Sequence, residues 1–193
     1  MDDESHMLDI FSNRLELRNS QKKNIAIGIY GSFHRTRKND LLALRSFLRD
    51  QGYDKTRISL DMIHHMAEDH SSLVPETLPE GPIQDMILSD LLVKESTIHI
   101  FIFVKEHDDE HYLIQSVSME FQHIRDCISY GAKKDQFVAV YVENGLEEIA
   151  GGVFKGQIMR NEHGFDIAFF NRIEEIFKPV QRFCDRSLES YYR

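Results

Sequence analysis

The sequence predicts an α/β domain: a flavodoxin-like, three-layer α/β/α sandwich around a four- to five-stranded parallel sheet. Three observations predict it. Short apolar runs alternate with segments of helical period. The runs are apolar on both faces, as in strands covered by helices above and below. The element order reads β-α-β-α-β-α-β, then a loop and a helix. Right-handed crossovers fold such an order into an open, doubly wound sheet.

Residues 1–22 are polar and mixed, with an amphipathic piece around Met7–Leu17. A helix or arm is expected there, ahead of a single domain over 23–193. The run Ile25, Ala26, Ile27, Ile29, Tyr30 reads as the first buried strand, and Gly31 breaks it. Asn39 or Asp40 can cap the following helix, whose stripe is Leu41, Leu44, Phe47 and Leu48. Gly52 sits where a left-handed C-terminal cap belongs. Arg57–Leu60 reads as a short strand ending at Asp61. Residues 62–82 read as a loop, with a short helix at Met62–Glu68.

Pro82 suits a first helical turn, and Ile83, Met86, Ile87 and Leu91 continue the spacing. Residues 96–105 (STIHIFIFVK) are the most strand-like of the chain. A third helix is expected from about Ser116 to Tyr130, with Val117, Phe121, Ile124 and Ile128 on one face and Gly131 at its end. Phe137–Val142 is another buried strand, and Gly145–Gly156 a loop. A last helix is expected over Ile167–Leu188, with Phe170, Ile173, Phe177, Val180 and Cys184 inward and a kink at Pro179. A fifth, edge strand is only weakly patterned, within 153–167.

Composition narrows the function classes. The 193 residues are 41% hydrophobic and 28% charged, with net charge −9 and two cysteines. No apolar run approaches the roughly 20 residues of a membrane span, so no membrane association is expected. The acidic balance argues against nucleic-acid binding. Two cysteines build neither a disulfide framework nor a four-cysteine zinc site. Cys127 and Cys184 read as small buried hydrophobes. The acidic start MDDESHMLDIF does not read as a secretory signal, and a reduced, cytoplasmic setting is expected.

In open α/β sheets, ligands sit beyond the carboxyl ends of the strands, where strand order reverses. The residues after the strands are therefore the candidates. After the first come Tyr30, Gly31, Ser32, Phe33, His34, Arg35, Arg37 and Lys38; Asp61 and His64 follow the second, Lys105 to Ser116 the third, and Glu143 and Asn144 the fourth. Familiar signatures are missing. GSFHRTRK lacks the second glycine of a phosphate-binding loop, Gly28–Gly31 has the wrong spacing for a dinucleotide fingerprint, and no GxSxG is present. What remains is a carboxylate: Glu120, four residues past Ser116 in the third helix. It is placed to lean back over the helix start, which favours its ionised form. There it could attack or stabilise the anomeric carbon of a sugar. The plain structural alternative is a glutamate that only complements the helix dipole.

The runs IAIGIYGSF, DLLALRSFLRDQGY, MILSDLLVKESTIHIFIFV and SVSMEFQHIRDCISYGAKKDQFVAVYV together resemble the nucleoside 2-deoxyribosyltransferase-like proteins, with TIR domains more distantly similar. The similarity spans residues 24–142. By this resemblance Glu120 is the nucleophile or cation-stabilising carboxylate. Tyr30, Gly31 and Phe33 line the sugar or base pocket, Ser32 and Ser116 border it, and Asp61 contacts base or ribose. The transferases carry Asp-x-Gly-Thr before the glutamate; this chain has Leu113-Ile114-Gln115-Ser116 there, and no tryptophan.

The basic stretch His34–Lys38 stands where a phosphate would sit, so Arg35, Arg37 and Lys38 are candidate phosphate holders; a solvated turn is the equal alternative. Two His-rich clusters, His64, His65 and His70 and then His107 and His111, lack a recognised metal spacing. No metal and no cofactor is expected. His99 lies within a strand and reads as structural. The expected function is binding of a nucleoside or nucleotide, with cleavage or transfer of its N-glycosidic bond through Glu120. The alternative is a non-catalytic nucleotide-sensing or protein-interaction module of the same fold. A homodimer subunit is the third reading, with Phe169, Phe170, Phe177, Phe183, Tyr191 and Tyr192 supplying the interface.

Overall fold

Strand β3 (Ile98–Phe103) has all six residues buried, because helices cover both of its faces. The computed structural model describes residues 2–31, 37–63, 82–105, 113–129, 135–146 and 165–193. Around β3 lie β1 (Ile27–Gly31), β2 (Thr56–Arg57), β4 (Phe137–Glu143) and β5 (Asp166–Phe170). All four described pairings are parallel, in the order β2-β1-β3-β4-β5. That is the flavodoxin-like order, with its reversal between β1 and β3.

Five α-helices are described: α1 (Asp2–Asn24), α2 (Lys38–Asp50), α3 (Pro82–Glu95), α4 (Leu113–Ser129) and α5 (Phe177–Tyr191). Alternation along the strands sorts them into two layers. Ile27, Ile29, Ile98, Ile100, Ile102, Ala139 and Tyr141 meet Leu41, Leu44 and Leu48 of α2 and Val180, Cys184 and Leu188 of α5. Tyr30, Phe101, Phe103, Val138, Val140 and Val142 meet Leu88 and Leu92 of α3 and Val117, Phe121 and Ile124 of α4. The result is a three-layer α/β/α sandwich. Each such fully buried aliphatic or aromatic side chain contributes about 1.5–3 kcal/mol.

Several local expectations change. The second strand is only Thr56–Arg57; Ser59–Asp61 turns into a 3₁₀ helix. There the Asp61 carboxylate accepts the Ile58 N–H at 2.9 Å, and that local bond competes with extended pairing. Helix α2 starts at Lys38 with Arg37 in the cap position, so neither Asn39 nor Asp40 caps it. Gly52 does end it, at φ +89°. Met62 and Ile63 are helical, as expected at the start of the short helix to Glu68; its remainder and the end at Gly131 lie outside the described residues, as does most of the loop after Gly145.

The largest correction concerns the C-terminal segment. Residues 166–170 form β5, not the start of a helix. Residues 173–176 form a 3₁₀ turn, and α5 begins only at Phe177. Pro179 then lies in the first turn of α5, where its missing N–H costs nothing, so it begins the helix instead of kinking it. Phe170, Ile173, Val180 and Cys184 are buried in both readings, which is why helical spacing concealed the strand.

The N-terminal segment is helical. Its last turns dock on α5 through Asp185, which faces Arg18 and Lys22 at 3.2 Å each. Tyr53 also donates its hydroxyl to Asp185, at 2.9 Å, and the Lys22 ammonium lies 4.9 Å from the Tyr53 ring centre. Among the described residues, no helix is long and apolar enough to cross a membrane.

Candidate functional site

Helix α4 packs across β1 and β3 with Val117, Phe121 and Ile124 on its inner stripe. Glu120 flanks that stripe and faces α3. The Ser89 hydroxyl of α3 donates to Glu120 Oε1 at 2.5 Å. Burial lifts the Glu120 carboxyl from its ordinary value to about 7, and the Ser89 hydrogen bond only partly opposes this. Taking an ionised carboxylate out of water costs more than one neutral donor returns. Glu120 therefore sits between α3 and α4 and titrates near neutrality. That placement differs from a glutamate on the solvated face of a helix start.

Tyr30 lies on the same face of the sheet. Its ring stacks on Phe101 at 4.5 Å and 14°, and Phe101 meets the edge of Phe121 at 5.2 Å. The ring folds back over Gly28: a Cβ there would come within 2.6 Å of Tyr30 Oη and 2.7 Å of Ser96 Oγ. Glycine inside a strand marks such a close approach. Tyr30 Oη lies 2.9 Å from His99 Nδ1, and His99 Nε2 lies 2.6 Å from Gln136 Oε1. Because the Gln136 oxygen accepts, His99 carries its proton on Nε2, and Nδ1 accepts the Tyr30 O–H. Burial holds the Tyr30 phenol far above its usual value, the Glu120 charge adds to this, and a hydrogen bond with Ser96 opposes it.

At the carboxyl edge, Arg37 joins the ends of β3 and β4 to the start of α2. Its Nη2 reaches both Glu143 oxygens, at 3.1 and 2.9 Å, and the Lys105 carbonyl at 3.1 Å. Nη1 reaches Asp40 at 3.3 Å. The Lys105 N–H donates to Glu143 at 2.7 Å. The guanidinium is thus already matched by two carboxylates and a carbonyl, which leaves little of it for a phosphate. Lys38 is exposed at the start of α2.

Gly31 ends β1, and a Cβ there would meet Leu41 at 2.6 Å, so glycine lets α2 approach. Asp61 is engaged by Arg45, and by Arg49 at 3.6 Å. Its carboxylate holds α2 against the start of the 3₁₀ turn. Ser116 lies in the first turns of α4. Ser32, Phe33 and Arg35 lie outside the described residues, as do His64, His65, His70, His107 and His111.

The structure thus brings Tyr30 and Glu120 to one face of the sheet and places Arg37 and Lys38 at its carboxyl edge. Ser89, Ser96, His99 and Gln136 join the site without having been singled out for it. Of these, a histidine inside an otherwise apolar strand was the visible signal. Of the aromatic side chains considered for an interface, Phe170 and Phe183 are buried and Phe177 packs on Phe47 at 5.1 Å. Phe169, Tyr191 and Tyr192 are exposed.

No family model matches the chain, and no curated protein is significantly similar to it. Among solved structures, the rubredoxin oxygen:oxidoreductase of the anaerobe Desulfovibrio gigas aligns with 86% of this chain at 12% identity and a TM-score of 0.44. This chain spans 36% of that protein's length.

Proposed function

We propose that the chain binds a nucleoside or nucleotide and cleaves or transfers its N-glycosidic bond through Glu120. One observation carries the reading: a largely buried carboxyl between two helices, held among the described residues by the Ser89 hydroxyl, with an affinity for its proton near neutral pH. A carboxyl poised there is present in both forms at working pH, which suits glycosidic chemistry. The ionised oxygen bonds to, or stabilises, the ribosyl carbon. The C–N bond breaks, and its electron pair leaves with the base, which takes a proton from solvent. Water or a second base then accepts the ribosyl group. Tyr30, buried between His99 and Phe101, backs the site from below and does not stack on the ligand as the resemblance implies. Phosphate, where present, falls to Lys38 and Arg35, since Arg37 is saturated.

The second reading is a nucleotide-sensing module of the same fold without turnover. The start of α4 favours it: Leu113-Ile114-Gln115-Ser116 supplies no second carboxylate beside Glu120 to protonate the leaving base. Chromatography of a nucleoside, nucleotide and dinucleotide panel, before and after incubation, separates the two. Released base supports turnover. A raised melting temperature without release supports sensing, because a ligand of the native state stabilises it.

A further inference from the structure

The hydrogen-bonded chain on the α3/α4 face has no part in the chemistry above, yet it is costly to build. His99 is fully buried in the middle strand of the sheet. Its two nitrogens are committed in opposite directions, to Tyr30 at 2.9 Å and to Gln136 at 2.6 Å. Tyr30 is held in turn between His99, at 5.8 Å between ring centres, and Phe101. The stack continues through Phe101 into Phe121, the residue next to Glu120 on α4. Gly28 is the space that lets the phenol reach this position. A buried polar chain this complete fixes one arrangement of its members, and it becomes a liability when one is lost.

We infer that His99 is the positioning residue of this site: by accepting the Tyr30 proton it locks the aromatic floor on which α4 carries Glu120. The inference rests on the proposed function for its role in turnover, but not for its structural content. With the floor locked, water is kept from below the Glu120 carboxyl and the Tyr30 phenol is turned away from it. The carboxyl is left with burial and Ser89 as the influences on its proton, with no cation among the described residues contributing. Tyr30 of β1 and, behind it, His99 of β3 are the titratable groups beneath it. If the floor opens, either water or the freed phenol stabilises the ionised form, and both move the titration of Glu120 the same way, downwards.

The test is the titration midpoint of Glu120, followed by carbon-13 NMR of its side-chain carboxyl in the full chain. The variants are His99→Phe, Tyr30→Phe and the double substitution. His99→Phe keeps a ring but removes the acceptor of the Tyr30 O–H and the donor to Gln136. The expected result is a fall in the midpoint by about one pH unit or more. The double substitution removes both partners of the Tyr30–His99 bond, which restores an apolar floor, and should return the midpoint most of the way. A general loss of packing would not be repaired by a second deletion. Nitrogen-15 spectra should show His99 protonated at Nε2 in the wild type. If His99→Phe does not fold, Gln136→Leu, at the half-exposed end of the chain, should give a smaller shift of the same sign. An unchanged midpoint in a folded His99→Phe or Gln136→Leu variant overturns the inference. The two failures are distinguishable. A responsive midpoint without base release removes the glycosidic reading and leaves the positioning role. Base release with an unresponsive midpoint does the reverse.

Discussion

The Arg37 guanidinium and the Glu143 carboxylate, 106 residues apart in sequence, meet at 2.9 Å over the carboxyl ends of the strands. Each is mostly shielded, with side-chain exposures of 20% and 14%. Glu143 also accepts the Lys105 N–H, so one carboxylate ties the ends of β3 and β4 to the start of α2. Removing it leaves the Lys105 amide without this acceptor and the guanidinium with only Asp40 and the Lys105 carbonyl among the described residues. Glu143→Ala should cost about 2–3 kcal/mol, between the values for exposed and buried pairs. Urea unfolding of the variant checks this. A change within about 0.5 kcal/mol would show the clamp to be ornamental.

Glu120 makes a pH-dependent prediction of definite sign. Its carboxyl binds a proton more tightly in the folded chain than in the unfolded one. Stability is therefore lost as pH rises from the ordinary carboxylate range through about 7, and is level above that. Each tenfold in proton affinity is about 1.4 kcal/mol, so the penalty at pH 8.5 approaches about 3 kcal/mol. Glu120→Gln should be more stable than the wild type at pH 8.5 by up to this amount, with the gain shrinking towards pH 5. Denaturant melts at both pH values measure it. Equal gains at both would mean that the benefit is not ionic.

Gly28 and Gly31 are both tightly surrounded, yet they should differ. A methyl at position 28 strikes the Tyr30 hydroxyl and Ser96 Oγ, two members of a fixed hydrogen-bonded chain. At 31 it strikes the end of the Leu41 side chain, which can rotate. Gly28→Ala should cost about 1–3 kcal/mol, as overpacked core sites do. That lowers the melting temperature by roughly 3–10 °C in a domain of this size. Gly31→Ala should cost less. Thermal melts of the pair decide it, and the reverse ranking would mean that the Tyr30 ring is not held over Gly28.

Asp185 gathers Arg18, Lys22 and the Tyr53 hydroxyl. Asp185→Ala should release the last turns of α1 and cost about 1–2 kcal/mol, since hydrogen bonds to a charged group are among the stronger ones. Hydrogen exchange should accelerate over residues 14–24 while β3 stays protected. Unchanged exchange there would show that other contacts dock α1.

What was legible in the chain follows from burial. β1, β3 and β4 are covered on both faces, so each writes a continuous apolar run. The stripes of α2 and α4, and Glu120 beside the second, follow from helical period alone. β5 is an edge strand whose residues Asp166, Ala168 and Phe169 are exposed, so it has no apolar run to show. Its Phe170 merged with the helical spacing of Ile173 and Phe177. The partners of the site were harder to see for another reason. Ser89 is 31 residues from Glu120, and His99 is 69 from Tyr30. Such pairs exist only once the sheet has brought α3, α4, β1 and β3 together. Arg37 read as a phosphate holder because its carboxylate partner lay 106 residues away.

The most direct test of the central claim is base release by the purified full chain. It would be incubated with nucleosides, nucleotides and NAD, and the products separated and weighed by mass spectrometry. Released base from at least one substrate is expected, lost by at least 100-fold in Glu120→Gln while that variant keeps its fold. Release that persists unchanged in folded Glu120→Gln, or no release from any substrate, would contradict an N-glycosidic role for Glu120.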